Sequence, residues 1–308
     1  MLKKILPVSY IFIFVLFMLK PEVSKHAASL SLVAVKNVVV ATLFPMMVLC
    51  RLISGTVLTR FSRYIKKLKF WKRLNLSDSL ISPILSGIVS GIPLGAIQTK
   101  ELKEKGLITK EEEKKALTLS SVPSPAFVIL VASEGRIIGV LRFCIILFAN
   151  YFVTSLFPSK KSVGVKKKEK MTFSKILSSS AQSGILVSAN IIFFTVLSFI
   201  LSSLYKPLMP YFASFFEMGS GVINANGSPF FISLALGFCG LSAFCQIKTE
   251  CPFCDMTPYL LARVFSTILL LSLSFVPVVT VFLIALAVGI KKCIKIKERP
   301  CKKSTLEV

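Results

Sequence analysis

Apolar runs of membrane length, each interrupted by proline, glycine or a charge, constrain this chain more than any other feature. Residues 30–58, 137–157, 185–204, 229–247 and 259–290 are dominated by Leu, Ile, Val and Phe. About 20 such residues in a helix cross the roughly 30 Å hydrocarbon core of a bilayer. Every backbone polar group in hydrocarbon needs an internal partner. A break is therefore tolerated only inside protein or beside a watery cavity. One break lies in 86–109, SGIVSGIPLGAIQTKELKEKGLIT. Pro93 removes a backbone donor, and Gly91 and Gly95 permit tight turns. Ser86, Ser90 and Gln98 add polar groups. This predicts a re-entrant hairpin whose tip meets a polar ligand. A competing reading takes Gly87, Gly91 and Gly95, spaced by four, as a seam for close helix packing. A second break follows in 119–131, LSSVPSPAFVILV, at Ser120, Ser121, Pro123, Ser124 and Pro125.

Composition excludes a soluble domain: 54% of the 308 residues are apolar and the mean hydropathy is +0.76. The net charge of +24 would suggest nucleic acid in a soluble protein. Here the cations stand in blocks between apolar runs, at Lys3 and Lys4, at 60–73 and at 158–175. Membrane topology and attraction to anionic headgroups account for that, with no nucleic acid involved. The positive-inside bias makes these blocks cytoplasmic, and counting spans adds 99–115 and 248–257 to that side. Within 60–73, Phe61, Tyr64, Leu68 and Trp71 share a helical face, which predicts an interfacial helix with that face in lipid.

Individual segments carry further expectations. Residues 5–19 read as an uncleaved first helix, because no convincing small-residue cleavage site follows. In 30–58, Pro45 predicts a kink. Arg51, near the end of that run, is expected to snorkel to the headgroups, and Lys36 to face protein or water. Residues 99–115 read as a solvated helical turn opened by a capping box, Thr109 with Glu112. Residues 259–290 fall short of the roughly 40 needed for two spans, so one span is expected, leaving the basic C-terminal tail outside against the positive-inside rule. Of eight cysteines, Cys251 and Cys254 form a CxxC in a short loop. With one histidine, His26, and no second ligand pair, they read as unliganded thiols, and no metal or cofactor is expected.

The stretch SGIPLGA at 90–96, the charged 100–115 and Ser120 through Phe127 resemble the gate domain of the YlbJ-type sporulation integral membrane proteins. FFEMGS at 215–220, GLSAFCQ at 240–246 and PYLLAR at 258–263 follow in the family's order. The resemblance spans roughly residues 30–290. It implies a polytopic fold related to concentrative nucleoside transporters and a role in moving dipicolinate across the outer forespore membrane of a bacterial cell. This chain has SSVPSP at 120–125 where the family usually has a TNTSSP-like wording, so the substrate does not carry over directly.

Both halves follow one outline of span, broken hairpin, polar-interrupted span and further span. The expected fold is an all-α polytopic membrane protein, an inverted-repeat transporter-like bundle with two re-entrant hairpins and broken helices. Its parts are an N-terminal helix and turn (1–27), a first gate repeat (28–157), a basic cytoplasmic linker (158–175), a second gate repeat (176–290) and a basic tail (291–308). Two unrelated Gly/Pro breaks would give the same outline. If the repeats are inverted, the hairpin tips near 91–95 and 217–221 face the breaks at 120–125 and 240–246. Half-helix N-termini there suit a carboxylate.

The expected binding residues are Ser90, Gly91, Pro93, Gly95, Ser120, Ser121, Ser124, Glu217, Ser220, Gly240, Ser242 and Gln246. Glu217, alone in an uncharged stretch, is expected to carry a coupling proton, hold a sodium ion or balance a membrane cation such as Lys36. The competing reading pairs it with Lys206 at the surface. The expected partners are a small anionic substrate, a bilayer with anionic headgroups and a proton or sodium ion. A nucleoside or other polar solute is an alternative substrate. A spore-envelope protein that does not transport is a second alternative. An enzyme is disfavoured, because neither HExxH nor GxSxG occurs.

Overall fold

A computed structural model describes residues 2–54, 57–132, 135–162 and 172–297. Helix is the dominant secondary structure, with no strand among the described residues. Five helices are long and apolar enough to cross a membrane: Pro21–Ser54, Arg136–Thr154, Phe173–Ser202, Pro229–Glu250 and Thr257–Phe275. The protein is thus consistent with a multi-pass membrane protein.

α1 (Leu2–Leu19) ends at Lys20, where Pro21 opens α2 (Pro21–Ala34). α2 continues without a stop through a π-helical segment (Val35–Leu43) into α3 (Phe44–Ser54). Pro45 does not break this helix, because it falls in the first turn of α3. One side-chain expectation reverses here, that for Arg51. Lys36 is exposed. Arg51 is buried, donates to Ser179 Oγ at 2.7 Å and pairs with Glu101 at 3.4 Å, so it faces protein and does not snorkel.

Basic segment 60–73 forms two helices, α4 (Val57–Ile65) and α5 (Lys69–Leu74). Phe61, Tyr64 and Leu68 are exposed. Trp71 is not. It sits in a cluster with Leu74, Leu80 and Leu107, because the turn at 66–68 rotates α5 inward.

α6 (Ile81–Ser90) and α7 (Leu94–Glu104) fold back on each other at 91–93. A Cβ on Gly87 would lie 3.0 Å from Gly95 Cα and overlap Ser120, which opens no room for larger residues where α6, α7 and α8 (Lys110–Ser120) meet. After α8 the chain is non-helical at 121–124, then enters a second π-helical segment (Phe127–Val131). α9 (Arg136–Thr154) and the long α10 (Phe173–Ser202) follow. Half of the basic linker, residues 163–171, lies outside the described residues.

α11 (Met209–Phe216) and α12 (Met218–Asn224) form a second antiparallel pair, with Gly221 against Ser214. The next helix breaks at Cys239, in the left-handed region (φ 66°), into α13 (Pro229–Phe238) and α14 (Gly240–Glu250). α15 (Thr257–Phe275) then runs to an extended Val276.

There the run 259–290 divides, and among the described residues only its first part, in Thr257–Phe275, is long and apolar enough to cross a membrane. Pro277 opens a separate helix, α16 (Pro277–Lys297), which turns back along α15. Ser272 bonds Thr280 across the turn at 2.9 Å, and Ala262 shares a cluster with Ala287. α16 continues as a helix into the basic residues beyond the apolar run. Its far end therefore returns toward the start of α15.

Of the segments expected on the cytoplasmic side, 99–115, 158–162 and 248–257 come together. Lys114 pairs with Asp255 at 2.9 Å and Lys100 with Glu250 at 3.3 Å. Asn75 donates to Ser159 O, and Ser162 N–H donates to Glu112. The capping box forms as expected: Glu112 N–H donates to Thr109 Oγ1 at 3.1 Å and Glu112 accepts from Thr109 N–H. The stretch is not a solvated turn, however. Glu112 is fully buried and also accepts from Ser77, while buried Lys115 donates to Leu74 O at 2.8 Å.

Candidate functional site

The two helix-pair tips and the two helix breaks meet around one central cavity of about 90 Å³. Gly91 forms the first tip. Its φ of 84° and ψ of −172° fall in a region open to glycine alone. A Cβ there would stand 3.0 Å from Ser124 N, so this tip rests directly on the break after α8. Ser124 in turn caps the next helical segment, accepting from Phe127 N–H at 3.3 Å.

Glu217 forms the second tip. Extended backbone there (φ −145°) ends α11 and starts α12. Its carboxylate accepts from Ser220 N–H at 2.5 Å, and Glu217 is 7% exposed. Gly240, with φ 78°, would place a Cβ 3.0 Å from Glu217 Cα, so this tip rests on the break before α14. Each tip thus touches the break of the helix that follows it. The surface pairing with Lys206 does not occur: Lys206 is exposed, and Glu217 has no lysine or arginine nitrogen within 4 Å among the described residues.

Of the expected binding residues, Gly91, Ser124, Glu217, Ser242 and Gln246 line the cavity. Ser242 and Gln246 lie one turn apart on α14, joined by a 3.1 Å bond from Gln246 Nε2 to Ser242 Oγ. The others stand behind the lining. Ser90 Oγ donates to Ser86 O at 2.7 Å. Pro93 lies in the first tip, after a cis Ile92–Pro93 peptide. Gly95 and Ser120 form the three-helix contact, where the small-residue packing reading holds. Ser121 is buried in the break, its hydroxyl without a protein partner, as are those of Ser86 and Ser120 and both polar atoms of Gln98. Ser220 supplies the N–H that holds Glu217, and Gly240 supports the second tip.

Sequence reasoning missed the rest of the wall. Val38 and Leu43 come from the π-helical segment, Val187 and Ile191 from α10, and Phe127 from the second π-helical segment. Nothing in an apolar residue type distinguishes lining from lipid contact. A signal did exist for Cys239, which precedes Gly240 at the break and lines the cavity.

The CxxC lies apart from this site. Cys251 and Cys254 are buried in the loop end, donating weakly to Ala96 O and Asp255 O. Burial, reinforced by Glu113, pushes both thiols up to about 12. No group of three or more His, Cys, Asp or Glu side chains is placed to hold a metal among the described residues.

Comparison with protein-family models, curated proteins and solved structures finds no match to this chain. The fold therefore gives only a coarse class: a helical, apolar bundle consistent with a multi-pass membrane protein, with a cavity where its tips and breaks meet.

Proposed function

We propose that this protein is a multi-pass membrane carrier that moves a small solute by alternating access. One observation carries the reading: Gly91, Ser124, Glu217 and Ser242, from two helix pairs and two broken helices, converge on one cavity. The lengths support it. α6, α7, α11 and α12 have 10, 11, 8 and 7 residues. At about 1.5 Å per residue none crosses a core of roughly 30 Å, so each pair enters and leaves on one side as a re-entrant hairpin. The order also repeats: α6/α7, α8 with its break and α9 correspond to α11/α12, α13/α14 and α15. The 7-to-8-loop and 14-to-15-loop contacts on one end support an inverted relation between the halves.

The lining holds one carboxylate and no basic residue. An anionic solute such as dipicolinate then enters with a cation, either a proton on Glu217 or a sodium ion beside it, because two unscreened anions repel strongly in a low dielectric. The same lining favours, as a second reading, an uncharged polar solute such as a nucleoside. In this reading the two tips part to load the solute and close over it. Within this reading, the resemblance favours the outer forespore membrane as the carrier's location.

Proteoliposome uptake tests this. Labelled dipicolinate and a labelled nucleoside are presented with an inward proton or sodium gradient. Gradient-dependent uptake of either is expected. Uptake of both that equals empty liposomes would overturn the carrier reading.

A further inference from the structure

We infer that the seam between α9 and α15 holds a small inorganic anion of the halide class beside Arg263. Arg263 is 1% exposed, about two turns into a helix of membrane length. A buried cation requires compensation. Arg51, the other buried arginine discussed above, has it in Glu101. Arg263 has no carboxylate within 4 Å among the described residues. Its guanidinium donates to Asn150 Oδ1 and, at 3.0 Å, to Cys239 Sγ, and it lies over the Tyr259 ring at 5.4 Å. These partners are neutral acceptors or a ring face, and Nε is left without one.

The groups around it are donors in want of an acceptor. Tyr259, Arg263 and Ser266 fall at i, i+4 and i+7 on one face of α15, and Asn150 and Thr154 one turn apart on α9. The Arg263–Asn150 bond brings these two faces together. Since Oδ1 of Asn150 faces the guanidinium, its amide nitrogen faces away, and it too has no partner. Tyr259 OH, Ser266 Oγ and Thr154 Oγ1 are likewise buried and unpartnered. Elsewhere in this protein helical hydroxyls commonly bond their own backbone, as Thr267 does to Arg263 O and Ser202 to Ser198 O. The seam hydroxyls do not. One positive charge with N–H and O–H donors and no competing carboxylate is the chemistry of a halide site.

The site is separate from the central cavity but adjoins it. Cys239, which accepts from Arg263, lines the cavity on its other side. An anion here would fix the break between α13 and α14 by holding the guanidinium against Cys239.

The test is binding, and so is independent of any transported solute. Purified full-length protein in detergent is unfolded thermally in sodium chloride, sodium bromide or sodium gluconate at equal ionic strength. A saturable rise in midpoint with chloride and bromide over gluconate is expected. Ser266→Ala with Thr154→Val removes two donors while leaving Arg263 in place. It should weaken halide affinity tenfold or more while matching the wild-type midpoint in gluconate. Arg263→Gln should abolish the halide response. Equal midpoints for the wild type in halide and gluconate would overturn the inference, indicating that water fills the seam. A halide response unchanged in the double variant would overturn it too.

Discussion

Replacing Gly91 with alanine tests the contact on which the site depends. Gly91 adopts φ 84° and ψ −172°, a conformation that costs a side-chain-bearing residue about 1–3 kcal/mol. The new Cβ would also sit 3.0 Å from Ser124 N and 3.2 Å from Ser124 Cβ. Backbone is the nearer neighbour, so the tip must lift off the break, at a further cost of about 1 kcal/mol or more. Gly106 is an internal control. Its φ is 66°, yet nothing lies within 4 Å of its Cβ position. Gly106→Ala should cost only the backbone term, about 1–2 kcal/mol. The expected totals are thus about 2–4 kcal/mol against about 1–2 kcal/mol. The assays are thermal unfolding in detergent, followed by the fluorescence of buried Trp71, and proteoliposome uptake. Gly91→Ala should lower the midpoint more than Gly106→Ala and reduce uptake more than tenfold. Gly106→Ala should leave uptake near wild type. If the two variants behave alike in both assays, the tip does not rest on Ser124.

Glu217→Gln retains an acceptor for Ser220 N–H, so it should insert and fold normally yet lose most gradient-driven uptake, while Glu217→Asp keeps part; full uptake by the Gln variant would remove Glu217 from the site. With Cys251 and Cys254 pushed up to about 12, their alkylation at pH 8 should run about three orders of magnitude slower than for an ordinary thiol, rising about tenfold per pH unit. Fast labelling of either at pH 8 would refute their burial. Phe253, fully exposed between them, gives a better topology probe. Phe253→Cys should react from the same side as a cysteine at the end of α16, and labelling from opposite sides would refute the fold-back of α16 along α15. Glu112→Ala strips acceptors from Ser77, Thr109 and Ser162 N–H groups, and should lower stability by about 3–4 kcal/mol in thermal unfolding; an effect below 1 kcal/mol would mean these loops are not tied through Glu112.

Legibility followed the physics of each segment. The breaks at Gly91–Pro93, after Ser120 and before Gly240 were readable because proline and glycine act on the local backbone, whatever surrounds them. The capping box was readable for the same reason. Arg51 and Trp71 were not. Whether a long amphipathic side chain reaches headgroups or an internal partner depends on Glu101 or Leu107, far away in sequence. The extent of the helices in the 259–290 run was hidden for a different reason. Its length was judged by where apolarity ends, whereas α16 continues as a helix through Lys291 and Lys292. Helix continuity requires only paired backbone, and a basic last turn suits the dipole.

The candidate site was half legible, and the division is informative. Glu217, Ser124, Ser242 and Gln246 stand out because a polar group in an apolar run needs a reason to be there. The Ser120–Gly87–Gly95 contact shows the limit of that rule: a serine and two glycines sit together because nothing larger fits where three helices cross. Small and polar residues therefore mark two things in this fold, close packing and ligand access, and only position separates them. The tips make both demands at once. Gly91 must be small to meet Ser124, and Gly240 must be small to meet Glu217, so each half spends its glycine on opposite partners of the same contact. That exchange leaves the carboxylate on one tip only. The cavity is consequently asymmetric in charge, its one carboxylate standing on the α11/α12 side.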